Sequence, residues 1–314
     1  MSVGRDDRTG AQLRLYCYLM LASYEDAELT LASVLRLGQD GQVALDPGAR
    51  RSSLFRDAVR ACAGLVERAE REPRVAEGSD RAPVVAVPWL QPYPDRYLDD
   101  TRSDGVPVAR ESVELAFVAA LQRLPVRQRA ALVLGDALGW SDDDIGEVLD
   151  GSATGVRDEV RAGRSALREN LPGHQDPADR RAAEKVVLER YMRALQQADD
   201  LAVGGLLQDD AWCAQQQGAG GNETAEPGYF RGRDVILDMW APALHGDRAV
   251  DFEFIPFWMN RQPGAATYVR MRNAKDSAHQ PFGLTALHVE GGTVAGVEVF
   301  TPDLFPTFGL PGEV

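Results

Sequence analysis

The chain has 314 residues, which is enough for two or three domains, and its hydrophobic content of 44% is ordinary for a globular protein. A formal net charge of −14 argues against a protein that works mainly by non-specific binding to nucleic acid, because phosphate contacts supply most of that affinity. Cys17, Cys62 and Cys213 show no pairing pattern, which indicates a reducing compartment. No signal peptide or membrane-length apolar run is evident, so we expect a cytoplasmic protein that does not contact a membrane.

Residues 1–75 predict a helical domain. Apolar side chains from Leu13 to Met20 begin an amphipathic run that continues through YCYLMLASYEDAELTLASVLRL. This run resembles the opening of region 2 of extracytoplasmic-function (ECF) sigma factors, which binds the polymerase core and melts the promoter. The acidic and glutamine cluster of that family is replaced by residues 29–33, and its tryptophan is absent. Because melting needs aromatic surfaces and a basic track, we expect a degenerate region 2-like domain.

Residues 76–113 predict a linker rich in proline. Its prolines predict an extended path, and they are Pro83, Pro88, Pro92 and Pro94. Aromatic and apolar side chains would anchor it on a neighbouring element, and they are Trp89, Leu90, Tyr93 and Tyr97. The motif PWLQPYPD looks like the linker of ECF sigma factors that carry an extra C-terminal domain.

Residues 114–171 predict a chain of helices that ends in a helix-turn-helix. Pro125 favours the start of a helix, Ser141 is a good N-cap before three aspartates, and Asp150-Gly151 predicts a tight turn. The last helix carries four arginines on one face, and they are Arg157, Arg161, Arg164 and Arg168. On an isolated helix such a stripe is usually a solvated face, whereas after a helix-turn-helix it is typical of a DNA-recognition helix.

The sequence LQRLPVRQRAALVLGDALGWSDDDIGEVLDGS closely resembles region 4 of ECF sigma factors, whose last helix enters the major groove of the promoter. The resemblance implies that Arg157, Arg161, Arg164 and Arg168 contact DNA. Residues 141–170 nevertheless hold four arginines against eight acidic residues. Since a carboxylate repels phosphate, we expect weak, salt-sensitive binding unless a partner holds the protein at the promoter.

Residues 179–314 change to a pattern of helices followed by strands. Four alternating segments predict an antiparallel sheet, and they are VDFEFIPFWMN, GAATYVRMRN, PFGLTALHVEGG and GTVAGVEVFT. The order of landmarks resembles a SnoaL-like domain of the ketosteroid-isomerase/NTF2 superfamily. The expected fold is therefore multidomain, with two all-α sigma-like domains followed by an α+β SnoaL/NTF2-like cone.

The cone of this superfamily encloses one apolar pocket that its members use for binding, catalysis or regulation. The resemblance implies that Tyr191 matches the tyrosine that donates a hydrogen bond to the oxyanion in ketosteroid isomerases. The position of the catalytic base falls near Gln215 and that of the second acid near Thr285. Neither side chain is a carboxylic acid, so steroid-isomerase chemistry is not carried over.

Further polar and aromatic candidates remain in this domain. His288 and Glu298 are catalytic candidates beside Tyr191, and the candidates for the pocket wall are Trp212, Tyr229, Asp238, Trp240, Trp258 and Tyr268. A two-residue hairpin turn would pair His288 with Ala295 and Thr285 with Glu298, so His288 and Glu298 would point to opposite faces. Single residues of these types more often belong to a core or to solvent. No metal-ligand spacing or nucleotide-binding glycine loop is present, so we expect no metal and no cofactor.

Two interpretations from different classes follow. In the first, the chain is a diverged ECF-type sigma factor whose partners are the RNA polymerase core, promoter DNA and a small apolar ligand that switches it through the SnoaL-like domain. In the second, a former sigma factor serves as a cofactor-free cyclase, isomerase or hydratase of specialised metabolism, with its active site in the pocket. The order of the domains favours the first, whereas the negative charge and the acidic recognition helix favour the second.

Overall fold

A computed structural model of the protein describes residues 3–40, 47–68, 73, 82–99, 101, 107–168, 177–246, 249–274 and 277–314. Contacts divide the chain into two compact units. The first, here called the helical unit, comprises Met1–Val75 and Trp89–Pro172. The second, the sheet unit, comprises Ala76–Pro88 and Gly173–Val314. Both sigma-like segments therefore belong to one unit, and the predicted linker is divided between the two.

The α-helices are α1 (Val3–Leu21), α2 (Tyr24–Asp40), α3 (Pro47–Arg68), α4 (Pro83–Ala86), α5 (Leu115–Leu121), α6 (Val126–Leu132), α7 (Asp142–Val148), α8 (Ala153–Arg168), α9 (Pro177–Gln196), α10 (Asp200–Leu206), α11 (Arg233–Leu244) and α12 (Phe305–Phe308). Short 3₁₀ turns occupy Asp95–Tyr97, Arg110–Ser112 and Pro302–Leu304, and a π-helical turn at Val133–Ala137 continues α6. None of the described helices is long and apolar enough to cross a membrane.

The helix-turn-helix is formed by α7, a turn and α8. Ser141 caps α7 and Ser152 caps α8, and each hydroxyl oxygen accepts the backbone N–H three residues further on at 3.2 Å. Asp150 makes the turn with a φ of +52°. A Cβ on Gly146 would lie 2.8 Å from the carbonyl oxygen of Gly151, so this close turn requires glycine.

The linker is less extended than the prolines indicate. Pro83 begins α4, because proline suits the first turn of a helix, and Asp95–Tyr97 is a 3₁₀ turn. The expected anchoring is present in the helical unit, where the Trp89 indole donates to the last carbonyl of α1 at 3.1 Å. Tyr93 is fully buried, with its ring centroid 4.6 Å from that of Tyr18.

The sheet unit contains β1 (Leu207–Gln215), β2 (Gly228–Arg231), β3 (Val250–Met259), β4 (Gln262–Met271), β5 (Gln280–Glu290) and β6 (Thr293–Phe300). They form one six-stranded sheet in the order β2-β1-β6-β5-β4-β3. The four predicted strands, β3 to β6, pair antiparallel as expected, whereas β1, which was not among them, pairs with β6 in parallel. The short strand β2 has four residues and was not predicted from the sequence.

The register of the last hairpin corrects the predicted faces of His288 and Glu298. The turn pairs Glu290 with Thr293 as expected, but a bulge shifts the ladder so that His288 lies opposite Gly296. Glu298 consequently lies opposite Ala286. Because directly opposed residues point to the same side of a sheet, His288 and Glu298 share one face.

Candidate functional site

The arginine face of α8 is exposed to solvent, as expected for a recognition helix. Arg157, Arg161 and Arg164 have side-chain exposures of 60%, 76% and 52%. The opposite face of α8 is buried through Val156, Val160 and Leu167, which pack the helix into the helical unit. Arg168 ends the helix, and its side chain lies outside the described part of the chain.

Each described arginine on this face is paired with a carboxylate. Arg157 donates to Asp142 at 2.9 Å, Arg161 donates to Asp158 at 3.0 Å, and Arg164 is paired with Asp136. The Asp136 carboxylate raises the pKa of the Arg164 guanidinium, which is therefore a permanent cation. These carboxylates compete with phosphate for the same donors, and exposed pairs of this kind are weak enough to exchange.

The first helix of the motif is packed against α3, which lies in the helical segment predicted over residues 1–75. The Trp140 and Phe55 rings meet edge to face at 4.5 Å, and the Arg51 guanidinium lies 3.9 Å from the Trp140 ring centroid. Arg56 of α3 reaches the Glu147 carboxylate at 3.0 Å. Helices from residues 1–75 and from the helix-turn-helix thus share one core in this structure.

The buried side chain of Arg129 forms hydrogen bonds within this core. Its guanidinium donates to the backbone oxygens of Met20, Gln122 and Leu124 at 2.6, 2.8 and 3.2 Å, and to the Gln122 side chain at 2.6 Å. Only 3% of the residue is exposed. Burial lowers the pKa of Arg129 to about 10, so the side chain remains charged at neutral pH. No local sequence pattern marks Arg129 as a buried side chain.

The sheet unit encloses a pocket of about 100 Å³ between α9, α11 and one face of the sheet. Its described wall consists of Tyr191, Leu195, Gln215, Gly220, Met239, Trp240, Ala243, Leu244, Phe252, Phe254, Thr267, Phe282, Thr285 and Val299. Of the predicted residues, Tyr191 and Trp240 are in this wall, and their rings meet edge to face at 6.2 Å. Phe252 and Phe254 alternate along β3 and line the pocket, so this alternation is a sequence signal for the wall.

The other predicted pocket residues lie elsewhere among the described residues. Trp212 stacks on the His288 ring at 4.7 Å, and Tyr268 donates to the Pro311 carbonyl at 2.9 Å. Trp258 lies under the Arg181 guanidinium at 4.4 Å, Asp238 is exposed on α11, and Tyr229 is partly buried on β2. None of these five is in the described wall. For Trp212 and Tyr268 the reason is strand alternation, which directs their side chains to the other face of the sheet.

Glu298 and His288 also lie on the face opposite the pocket, because Val299 is one position from Glu298, Thr285 is three positions from His288, and both line the pocket. Glu298 is fully buried, and its Oε1 accepts the Val84 backbone N–H at 2.6 Å. Its Oε2 is 3.3 Å from the His288 Nε2. Glu298 therefore holds Ala82–Val87, here called the linker segment, all of which is buried in the sheet unit.

The family model "Sigma-70, region 4" matches residues 114–167, which contain α5 to α8. The ECF RNA polymerase sigma factor SigG of Mycobacterium tuberculosis H37Rv is 30% identical over 320 residues, covering 96% of this chain and 82% of SigG. The chain belongs to the family of ECF RNA polymerase sigma factors.

Two solved structures are similar to this ECF sigma factor. The crystal structure of Mycobacterium tuberculosis SigJ aligns with a TM-score of 0.62 and 21% identity, covering 99% of this chain and all of SigJ, which shows a shared fold. A putative ketosteroid isomerase from Kribbella flavida DSM 17836 aligns with 38% of this chain and 77% of its own at a TM-score of 0.30 and 14% identity. The predicted order of sigma-like helices followed by an α+β domain is confirmed.

Proposed function

We propose that this ECF sigma factor binds the RNA polymerase core and directs it to promoters through α8. The observation that carries the proposal is the complete helix-turn-helix within the matched region 4, with an exposed arginine face on its second helix. A helix of this kind presents its exposed face to the major groove while its buried face holds it on the domain.

The ion pairs on α8 set the expected strength of this contact. Before phosphate can bind, Arg157 must leave Asp142 and Arg164 must leave Asp136. The overall charge of −14 adds long-range repulsion from DNA. Free protein is therefore expected to bind promoter DNA weakly, and the polymerase core would supply the missing affinity by holding α8 at its site.

Reconstitution with purified core polymerase tests this function. We expect co-elution of the protein with the core at moderate salt and run-off transcription from promoters selected from genomic DNA. The double variant Arg157→Ala/Arg161→Ala should keep co-elution but lower promoter affinity and reduce the salt slope by about 1 for each lost phosphate contact. Arg190→Ala, an exposed arginine of α9, is the matched control. Absence of any complex between folded protein and core would refute the proposal.

The sheet unit is proposed to control this activity through the linker segment. The support is the burial of Ala82–Val87 and the bond from Val84 to Glu298, which fix a part of the chain that lies between the two sigma-like segments in sequence. Release of the linker segment would allow the chain between the two sigma-like segments to move. We therefore expect Glu298→Leu, which removes the acceptor of the Val84 N–H, to raise transcription at least threefold, while Glu290→Leu, an exposed neighbour on the same hairpin, leaves it unchanged. Equal activity of both variants contradicts this control.

No specific observation favours the enzyme interpretation. The described pocket wall contains no Asp, Glu, His, Lys or Cys side chain that could serve as a general base. Burial raises the pKa of the Tyr191 hydroxyl far above its ordinary value, which makes that group a hydrogen-bond donor and not a base. Among the described residues, no group of His, Cys, Asp and Glu side chains could hold a metal ion.

A further inference from the structure

We infer that the pocket of the sheet unit binds a small, uncharged ring compound that carries a carbonyl, amide or hydroxyl group. This inference deepens the proposed control by the sheet unit, on which its regulatory meaning rests. Binding itself does not require sigma activity and can be tested on the free protein. The inference is carried by the size of the pocket, the charge of its wall and the polar groups that face it.

Size restricts the ligand to about one ring. The pocket has a volume of about 100 Å³, several times the roughly 10–15 Å³ that one water molecule needs. Cavities of roughly 150 Å³ lined by Leu, Ile and Phe stay dry and accept benzene. A single six-membered ring is therefore of the right order, whereas a fused polycyclic compound needs the walls to move.

The wall excludes charged ligands. Its aromatic and aliphatic members surround the cavity from α9, α11 and the sheet, and the larger ones are Trp240, Phe252, Phe254, Phe282 and Met239. Apart from Tyr191, the described wall has no ionisable side chain to pair with a charged group. A carboxylate or ammonium group would lose its hydration without gaining a counter-charge, which costs several kcal/mol per ion.

The polar groups of the wall select a ligand that accepts and donates hydrogen bonds. The Tyr191 hydroxyl has no hydrogen-bond partner among the residues that the structure describes, so it can donate to a carbonyl oxygen. The Gln215 Nε2 donates to the Gly220 carbonyl at 2.9 Å, which fixes the amide and leaves its Oε1 as an acceptor. Thr267 and Thr285 share a hydrogen bond of 3.1 Å, in which one of the two protons remains available.

Orientation of these groups is determined by the fold and not by a ligand. Thr267 of β4 and Thr285 of β5 are near neighbours across the ladder, in which Thr285 pairs with Ala265 and Thr267 with Gly283. Gly220 has a φ of +57°, and a Cβ there would lie 2.9 Å from the Gln215 Nε2. Glycine at this position is therefore needed for the Gln215 side chain to turn along the wall. A preformed set of polar groups in an apolar cavity is the ordinary arrangement of a ligand site.

Three ring compounds of matched size test the inference. Benzamide is uncharged and carries both a donor and an acceptor, benzoate is its anionic analogue, and toluene has no polar group. Binding to the full-length protein is measured by isothermal titration calorimetry and by ligand-observed NMR. We expect benzamide to bind at least tenfold more tightly than benzoate.

Two substitutions locate the site. Ala243→Leu fills the cavity from α11 and should abolish binding of benzamide and toluene, whereas Ala241→Leu on the same helix but outside the described wall should leave both unchanged. Tyr191→Phe removes only the hydroxyl and should weaken benzamide about three- to tenfold, while toluene binding changes less than twofold. The Tyr191→Phe result keeps the test decisive even if Ala243→Leu does not fold.

The inference is overturned if none of the three probes binds, if benzoate binds as well as benzamide, or if Tyr191→Phe weakens toluene and benzamide equally. These outcomes are separate from failure of the proposed function, which is measured with polymerase and without ligand. If benzamide binds but transcription does not respond to it, the proposed ligand site is supported and the proposed control of transcription by the sheet unit is refuted.

Discussion

Arg129 in the helical unit and Glu298 in the sheet unit are both buried ionisable side chains that hold backbone from a distant part of the chain. Arg129 makes four hydrogen bonds with three residues, Met20, Gln122 and Leu124, and Met20 is 109 positions away in sequence. Glu298 holds one backbone N–H, that of Val84, 214 positions away. The contact of Arg129 is made by several hydrogen bonds inside a core, whereas the contact of Glu298 with Val84 depends on a single short hydrogen bond.

This difference in bonding separates a permanent contact from a releasable one. Because the pKa of Arg129 is about 10, no physiological change of pH removes its charge, and its several partners must all be broken together. The linker segment can be freed by breaking the bond to one carboxyl oxygen and exposing a short apolar stretch. Controlled motion is therefore expected at Glu298 and rigidity at Arg129.

The largest effect is expected from Arg129→Met. The variant leaves three backbone carbonyls without their donor and should lower the free energy of unfolding of the helical unit by about 2–4 kcal/mol. Urea denaturation followed by tryptophan fluorescence measures the loss, and hydrogen exchange of peptides from α1 and α6 assigns it to the helical unit. A loss below about 0.5 kcal/mol would show that water replaces the guanidinium and that Arg129 does not stabilise the helical unit.

A smaller loss of stability is expected from Glu298→Leu, because the variant removes the acceptor of one backbone N–H, that of Val84, and one contact with His288. We expect a loss of about 1–2 kcal/mol in the sheet unit and faster hydrogen exchange in peptides that cover residues 82–87. Glu298→Gln keeps an amide oxygen in place and should lose about half as much. If exchange in the linker segment is unchanged in Glu298→Leu, apolar burial alone holds the segment.

The variant His288→Phe tests the second contact of the Glu298 carboxyl group, which is the contact with His288. His288 shares a 3.3 Å contact with Glu298 and its ring lies against Trp212, and phenylalanine keeps the ring while removing the nitrogens. A loss of about 0.5–1 kcal/mol is expected, below that of Glu298→Leu. Thermal unfolding of the two variants side by side gives the order. The reverse order would mean that His288 and not Val84 fixes the carboxyl group.

The smallest change in stability is expected where an ion pair is exposed. Asp142→Asn breaks the pair with Arg157 and should change the free energy of unfolding by less than about 0.5 kcal/mol. The released arginine should nevertheless strengthen promoter binding severalfold, since a competitor of phosphate is removed. Fluorescence anisotropy with labelled promoter DNA measures this gain, and Asp143→Asn, which has no pair with Arg157 among the described contacts, controls for the change of net charge. Equal gains in both variants would attribute the effect to net charge.

Sequence by itself determined the elements whose signals are local. The caps at Ser141 and Ser152, the tight turn at Asp150 and the arginine spacing of α8 all follow from short-range hydrogen bonding and helical geometry. The order of helices and strands in the C-terminal part followed in the same way, with the short strand β2 as the exception. These features depend on neighbours within a few residues, which is why a single sequence was sufficient.

Tertiary structure alone decided which of these residues meet. A one-residue bulge near Ala295 placed Glu298 and His288 on the same face and away from the pocket, and no sequence pattern marks that bulge. The bonds from Arg129 to Met20 and from Val84 to Glu298 join positions more than 100 residues apart. No local sequence pattern could therefore predict them. Register, face and long-range partners are set by packing of the whole chain, because shifting a strand by one residue reverses every side chain on it.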